Sequence, residues 1–376
     1  MLLKSPKNLL VISPFESWPL SQGSIVRTHH LVQFLGQRHK IWYAFRGRPQ
    51  QPPPSTLYNS IANTPNRFSQ LFSLRFLVQL WRTIRTEDID AILVAQIWSA
   101  LHGLLLKWLT GKPFIFDNHN VEYLRFRRMG HVAWPLVALL EWAACHTADH
   151  IICVSETDKK RLVRSFRLPP HKLQVAANGA DVAQIQQHPV DLTATKKRWG
   201  LATNEAMVLF FGSLNHAPNA QAAGIILDEI APRLASQAGC LKLVIAGLGD
   251  AAYLRARQRP LPANILFTGF VNDIIALIKS ADLIIVPIRS GSGTRFKIIE
   301  SAACGRPIIS TTLGAEGLDR AAFGGLLTIC DDWDAFAQHI RHHLSQPGQY
   351  NVPAAFRATY DWQHIFDGVD WSILDG

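Results

Sequence analysis

Apolar, β-branched runs alternate with amphipathic stretches along the whole chain. In the first half, Asn8–Ile12, Lys40–Ala44, Ala91–Val94, Pro113–Phe116 and His150–Val154 predict strands. Ser24–Leu35, Leu71–Arg85, Ser99–Leu109 and Trp134–Thr147 predict the helices between them. Strand–helix–strand alternation requires right-handed crossovers and a parallel sheet with helices on both faces. The pattern then restarts. Val208–Phe211, Leu241–Ala246, Asn264–Thr268, Asp282–Pro287 and Pro307–Ser310 form a second set of strands, with helices over Ala220–Leu234, Asp273–Lys279 and Thr294–Ala303. The halves share an architecture and no sequence repeat.

The break lies in the polar stretch Asn178–Gly200, which holds Pro189 and the cluster Lys196-Lys197-Arg198. The boundary is set near residue 185, giving domains 1–185 and 186–376. The last helix, about residues 357–376, is expected to pack back on the first domain. The proline-rich Arg48–Ser55 reads as a surface loop inside the first domain. Two doubly wound sheets facing each other would create a central cleft, with ligands at the carboxyl ends of the strands.

With 376 residues, 48% apolar and 18% charged, each half can bury a core, and the composition excludes a disordered chain. The cysteines Cys145, Cys153, Cys240, Cys304 and Cys330 show no CxxC spacing. They read as small buried residues in a reducing cytoplasm, not as a zinc or disulfide framework. The N-terminal apolar run reads as a buried strand and not a signal peptide. No stretch has the length of a membrane span, and Val132–Leu140 is cut short by Glu141.

Charge changes the picture more than composition does. Residues 1–180 hold 22 Lys and Arg against 10 Asp and Glu, a balance of +12, while residues 181–376 hold 16 against 18, a balance of −2. A basic half attracts nucleic acid, an anionic membrane surface or a phosphorylated acceptor. Nucleic acid is disfavoured, because the basic residues lack interleaved aromatic spacing. The cluster Lys159, Lys160, Arg161, Arg164 and Arg167 reads as a solvated face or a membrane-facing patch. With Arg125, Arg127, Arg128 and the apolar Trp134–Trp142 stretch, it supports peripheral membrane contact.

The segment richest in chemistry follows the strand Asp282–Pro287. It reads Ile288-Arg289-Ser290-Gly291-Ser292-Gly293-Thr294-Arg295-Phe296-Lys297 and runs into a helix carrying Glu300. Gly291 and Gly293 allow a tight turn and close approach of backbone to ligand. Free amides at the helix start favour an anion, and Arg295 and Lys297 add formal charge beside it. Together they describe a diphosphate cradle, with Glu300 placed further along the ligand to accept from ribose hydroxyls. A solvated glycine turn is the plainer alternative, which the combined arrangement disfavours.

This stretch, through Gly305, Arg306-Pro307-Ile308-Ile309-Ser310 and Gly314-Ala315-Glu316-Gly317, resembles the donor-site signature of retaining GT-B glycosyltransferases of the family-4 type. The Gly-Ser-Gly-Thr-Arg-x-Lys turn resembles one subgroup of them. Other matches follow in order: Gly23-Ser24, Asp117-Asn118-His119-Asn120-Val121-Glu122, Val154-Ser155-Glu156, Asn178-Gly179-Ala180-Asp181, Phe211-Gly212-Ser213 and Pro218-Asn219. The resemblance implies a GT-B fold of two Rossmann-like α/β domains and transfer of a hexose, with retention, from a nucleotide diphosphate sugar to an acceptor hydroxyl. It also implies that His119 contacts the donor sugar near the reacting carbon. Ser292 stands where the family often has the first of two glutamates. The loop Ser213–Asn219 lacks the Arg and Lys that many members carry there, and Arg295 and Lys297 are inferred to supply that charge.

The remaining candidates are weaker by themselves. Gly23 is a turn residue or approaches a donor phosphate. Gly212 follows a strand in the resemblance's order; Gly247 borders the nucleotide or is an ordinary surface turn, and Val271 lies in what resembles the family's base-contacting loop or in an ordinary surface turn. Ser292, Gly293 and Thr294 complete the donor turn. On the acceptor side stand Arg27, facing an anionic acceptor or solvent, Asn120, and Glu122, a helix-start acid or acceptor residue. Ser155 and Asp158 have the spacing of a structural cap. No Asp-x-Asp-like motif stands at a strand end, so no metal and no other cofactor is expected. The partners expected are a nucleotide-sugar donor and a sugar, glycolipid or polyprenyl-linked acceptor. The expected place is the cytoplasm, free or peripheral at the inner face of the plasma membrane. A nucleotide-sugar epimerase of the same fold and an inactive nucleotide-sugar-binding subunit are the competing readings.

Overall fold

The computed structural model describes residues 5–16, 18, 22–46, 58–63, 73–202, 204–237, 239–257, 260–346, 348 and 350–374. The expected loop Arg48–Ser55 and the first two residues of the expected helix Leu71–Arg85 lie outside them. The chain divides into two compact units, residues 1–178 with 365–376, and residues 179–364. The division thus falls seven residues before the expected boundary.

The first unit is built on seven parallel strands: β1 (Asn8–Ser13), β2 (Lys40–Arg46), β3 (Tyr58–Asn63), β4 (Ala91–Ala95), β5 (Phe114–Asn118), β6 (His150–Cys153) and β7 (Leu173–Val175). Their order is β3-β2-β1-β4-β5-β6-β7, with Leu9 in register between Ile41 and Ala91. The second unit has six: β8 (Ala206–Phe211), β9 (Leu241–Ala246), β10 (Ile265–Gly269), β11 (Leu283–Val286), β12 (Ile308–Ser310) and β13 (Leu327–Ile329). Their order is β10-β9-β8-β11-β12-β13, again all parallel. Strands β4, β5, β6 and β11 are buried along their whole length, as strands covered on both faces must be.

The chain enters both sheets near the middle, at β1 and at β8, builds outward, and then crosses to the other side. The switch points are β1/β4 and β8/β11. At such a point, loops leave neighbouring strand ends in opposite directions and open a crevice.

Three strands escape the sequence pattern, and all three are sheet edges. β3 reads Tyr-Asn-Ser-Ile-Ala-Asn, while β7 and β13 have three residues each. An edge strand needs no continuous apolar run. The expected helix Ala220–Leu234 starts earlier, at Ala217, and widens into a π turn over Ile226–Ile230. Pro232 follows at once; in an unbroken α-helix its ring would clash with the Asp228 carbonyl.

The expected single C-terminal helix is instead three short ones, Ala354–Tyr360, Trp362–Ile365 and Ser372–Leu374. Asp361 breaks the first by pairing with Ala180: the Ala180 amide donates to the Tyr360 carbonyl and the Trp362 amide to the Ala180 carbonyl. Within the first unit, Phe366 and Trp371 of the tail stack near Phe34 at 5.7 and 6.1 Å. Four cysteines are buried as expected, but Cys240, in the turn just before β9, is exposed.

Candidate functional site

In the second unit, Gly212 and Gly247 end the neighbouring strands β8 and β9. The Gly212 amide donates to the Ala246 carbonyl at 2.8 Å, and the Gly247 amide to the Gly269 carbonyl at 2.8 Å. Gly212 has φ +142° and Gly247 +150°, which favour glycine. A Cβ on Gly247 would lie 2.2 Å from the Gly212 carbonyl oxygen. One on Gly212 would meet Asn219 Nδ2 at 2.8 Å and Lys297 Nζ at 2.9 Å. The two glycines therefore let three strand ends close up and leave room for a lysine.

Lys297 comes from the helix Phe296–Ala303, across the β8/β11 switch point. Its Nζ donates to Asn219 Oδ1 at 2.8 Å and sits 4.3 Å from the Phe210 ring centroid. Asn219 in turn donates from Nδ2 to the Ser213 carbonyl at 2.9 Å. Burial, then the neighbouring Arg295 guanidinium, push the Lys297 ammonium down to about 7, against the pull of Glu300. Burial raises the Glu300 carboxyl, opposed by Lys297 one turn earlier.

Gly291 and Gly293 adopt φ +91° and +84°, so the turn is built as expected. The helix begins two residues later than expected, at Phe296, because Arg295 is its extended N-cap. Arg295 also folds back on its own turn. It donates to the carbonyls of Ser292 and Ser290, bracing the loop that holds Thr294. Lys297 is thus the cation turned toward the loop after β8, and Arg295 stiffens the turn beside it. Val271 is not in this group. It lines a separate recess of about 150 Å³ with Arg198, Trp199 and Asn272.

In the first unit, His119 follows β5, next to the β1/β4 switch strands. Its Nε2 lies 2.8 Å from Asp117 Oδ2. Its other ring nitrogen, Nδ1, is buried and has no partner among the described residues. Asp117 is fully buried and is gripped by Arg27, whose Nη2 donates to Oδ1 at 2.7 Å and whose Nε donates to both oxygens at 3.1 Å. Burial acts to raise the Asp117 carboxyl, yet Arg27 and His119 hold it well below the usual carboxylate range.

Arg27 is a correction. It faces neither an acceptor nor solvent: it is 1% exposed, and its Nη1 donates to the Ala176 and Ala177 carbonyls. A guanidinium offers five donors, enough to serve a carboxylate and two strand-end carbonyls together. Gly23 is the first residue of the helix Gly23–Gly36. Glu122 begins the helix Glu122–Arg128 and pairs with Arg125 at 2.6 Å, with Asn120 Nδ2 at 3.4 Å. Ser155 caps its helix by accepting from the Asp158 amide at 3.0 Å, as its spacing implies.

Three residues were not marked as site candidates by the sequence. Asn219 carries Lys297. Glu141, fully buried, accepts from Asn118 Nδ2 at 3.1 Å and from the amides of Glu122 and Tyr123 at 3.1 and 2.9 Å, so it pins the loop bearing His119. Burial pushes its carboxyl up to about 8, though these bonds oppose the shift. Gln96 ends β4 at φ 68°, ψ 152°, a region that side chains rarely enter, and its buried Nε2 lacks a partner among the described residues. The available signal was position: for Gln96 a polar residue just past a strand's carboxyl end, for Glu141 one acid in an apolar helix, and for Asn219 an amide in the first turn of the helix that follows β8.

Two predictions follow from these contacts. Arg27→Met leaves a buried carboxylate uncompensated and should cost about 3–5 kcal/mol at neutral pH. The depressed Asp117 contributes stability above its unfolded pKa and loses it as pH falls, so the penalty should shrink below about pH 4. Urea unfolding at several pH values checks this; a loss that is small or independent of pH contradicts the pairing. An anion bound beside Lys297 restores its ammonium. An anionic ligand that binds there should therefore take up as much as about one proton at pH 8, and almost none below about pH 6. Calorimetry in buffers of different ionisation enthalpy measures this uptake, and Lys297→Met should abolish it.

Residues 22–184 match the family model "Glycosyltransferase Family 4", and residues 205–346 match "Glycosyl transferases group 1". The D-inositol 3-phosphate glycosyltransferase of Rhodococcus jostii is 25% identical over 286 residues, which is 71% of this chain and 62% of that protein. The chain thus spans less than two thirds of that relative's length. The UDP-Gal:alpha-D-GlcNAc-diphosphoundecaprenol alpha-1,3-galactosyltransferase of Escherichia coli is 25% identical over 279 residues, 71% of this chain and 70% of that one. Among solved structures, Anabaena HepE in complex with UDP and glucose superposes with a TM-score of 0.71 at 16% identity, over 96% of this chain and 97% of its own. Sucrose-phosphate synthase from Thermosynechococcus elongatus does so with 0.76 at 17%, over 96% of each chain. The structural likeness is one of fold: two parallel-sheet Rossmann-like domains of GT-B type. The two halves of this chain are glycosyltransferase domains of the family-4 and group-1 types on a GT-B fold.

Proposed function

We propose that the protein transfers a hexose, with retention, from a nucleotide diphosphate sugar to a hydroxyl of a glycolipid or polyprenyl-linked acceptor in cell-surface glycan synthesis. The observation that carries the donor half is Lys297, with its Nζ tethered to Asn219 beside two mutually packed glycine ends at the β8/β11 switch point. Departure of a nucleoside diphosphate builds negative charge, and a pre-positioned cation stabilises that charge most. Lys297 and the first amides of its helix are assigned to the diphosphate, with the braced turn Gly291–Thr294 closing around it. Glu300 is assigned to the ribose and Val271 to the base side.

His119 is assigned to the sugar end of the donor, following the resemblance. Glu122 and Asn120 are assigned to the acceptor side. Because side chains supply the positive charge, the reaction is proposed to need no metal. The E. coli relative is named for a diphosphoundecaprenol-linked acceptor and the Rhodococcus relative for an inositol phosphate, which supports a phosphorylated or lipid-linked acceptor here. Such an acceptor and a cytosolic nucleotide sugar meet at the inner face of the plasma membrane, where the enzyme is proposed to work.

A thermal-shift screen with UDP, GDP and ADP should give a rise in Tm with at least one of them, unaffected by EDTA. Lys297→Met should weaken that nucleotide on the order of 10- to 100-fold, the size of a lost charge-assisted hydrogen bond. Arg295→Ala should weaken it too, by loosening the turn. The anomeric configuration of the product, read by NMR, tests retention. Sustained epimerisation of donor without acceptor would replace the proposal with an epimerase. Binding without turnover across lipid-linked and soluble acceptors would replace it with an inactive subunit.

A further inference from the structure

The helix Trp134–Thr147 is turned inside out. Its core side holds Val137, Ala144, Cys145 and the carboxyl of Glu141. Its water side holds Leu136, 70% exposed, Leu139, 60% exposed, and Trp142. These fall at the spacing of one helical face, where a globular helix places its charges. Exposed apolar residues also occur on the elements beside this helix. Val132 just before it is 91% exposed, and Trp108, on the packed neighbouring helix Ala100–Thr110, is 83% exposed. Large apolar side chains exposed in this number on one helix and the elements beside it mark a contact face.

Charge identifies the occupant. Arg127 and Arg128 are exposed at the end of the helix Glu122–Arg128, and the Arg127 guanidinium lies 5.5 Å over the Trp134 ring. The surrounding half of the chain carries the +12 balance. Two copies meeting through this face would bring like charge together, whereas an anionic bilayer attracts it. Tryptophan rings suit the headgroup boundary, where one end is apolar and the other wet. At 14 residues the helix is too short to span a bilayer, and no described helix is long and apolar enough to do so.

We infer that this face docks in the plane of an anionic membrane, with Leu136, Leu139 and Trp142 in the headgroup boundary and Arg127 and Arg128 against lipid phosphates. The inference locates the membrane contact of the proposed function, but it stands on a separate observation and needs neither donor nor acceptor.

Flotation with vesicles of phosphatidylcholine and phosphatidylglycerol, compared with phosphatidylcholine alone, provides the test. The full chain should float with the anionic vesicles, less so at high salt. Leu136→Gln with Leu139→Gln should weaken partitioning at least about tenfold. Arg127→Gln with Arg128→Gln should weaken binding to the anionic vesicles in particular. Both doubles alter exposed side chains, so their urea midpoints and nucleotide thermal shifts should match the parent. Lys297→Met should float like the parent, which separates this inference from the donor-site assignment. No flotation of the parent, or unchanged flotation of the leucine double, would overturn it. So would light scattering that shows a dimer abolished by the leucine double.

Discussion

Every chemically interesting group depends on one constraint: all strands in each sheet run the same way. A parallel sheet delivers each strand's carboxyl end to one edge, and the connecting loops gather there. Where the chain changes direction across the sheet, at β1/β4 and β8/β11, neighbouring loops diverge and leave space between them. Gly212, Asn219, Gly291 and Lys297 meet at the second of these points although 85 residues separate the first from the last. His119, Asp117, Gln96 and Arg27 gather at the carboxyl edge of the other sheet for the same reason.

Bringing polar groups to such an edge places some of them in the core, where each needs a partner. The protein meets that need with buried ionisable side chains that act on the backbone. Arg27 serves one carboxylate and two strand-end carbonyls. Glu141 serves one side-chain amide and two helix-start amides. Between them they hold both flanks of the four residues around His119. The same choice explains the inverted helix. A helix that must aim an acid inward at the His119 loop gives up part of its apolar stripe to the outside. Leu136, Leu139 and Trp142 are where that stripe emerges.

The central strands and most helices were legible because burial on both faces writes a continuous apolar run, and helices between such runs keep their amphipathic period. The edges β3, β7 and β13 were not, since strands without two covered faces carry no such run. The glycine turn before the helix Phe296–Ala303 was legible in composition and order, but Arg295 illustrates the limit. Its sequence neighbours suggest a ligand, while its guanidinium reaches the carbonyls of its own loop. Arg27 shows the converse: one turn into a helix it looks solvated, and only the arrival of β5, 90 residues later, reveals why it is buried. Glu141 was visible as the charge that interrupts an apolar stretch, yet its partners come from a loop that tertiary packing alone supplies.

The missing cation in the loop after β8 has a consequence for how charge is arranged. In Ser213–Asn219 there is no Arg or Lys, and the residue nearest the helix after β11 is an amide, Asn219. An amide oxygen there can fix an ammonium without neutralising it, which a carboxylate would not do. The Phe210 ring beneath the ammonium stabilises charge without forming a salt bridge. Lys297 is therefore held in place by neutral groups while burial and Arg295 make its charge costly. An anion entering beside it relieves that cost. The proposed donor assignment thus rests on one lysine that neutral groups hold in place while burial and Arg295 make its charge costly.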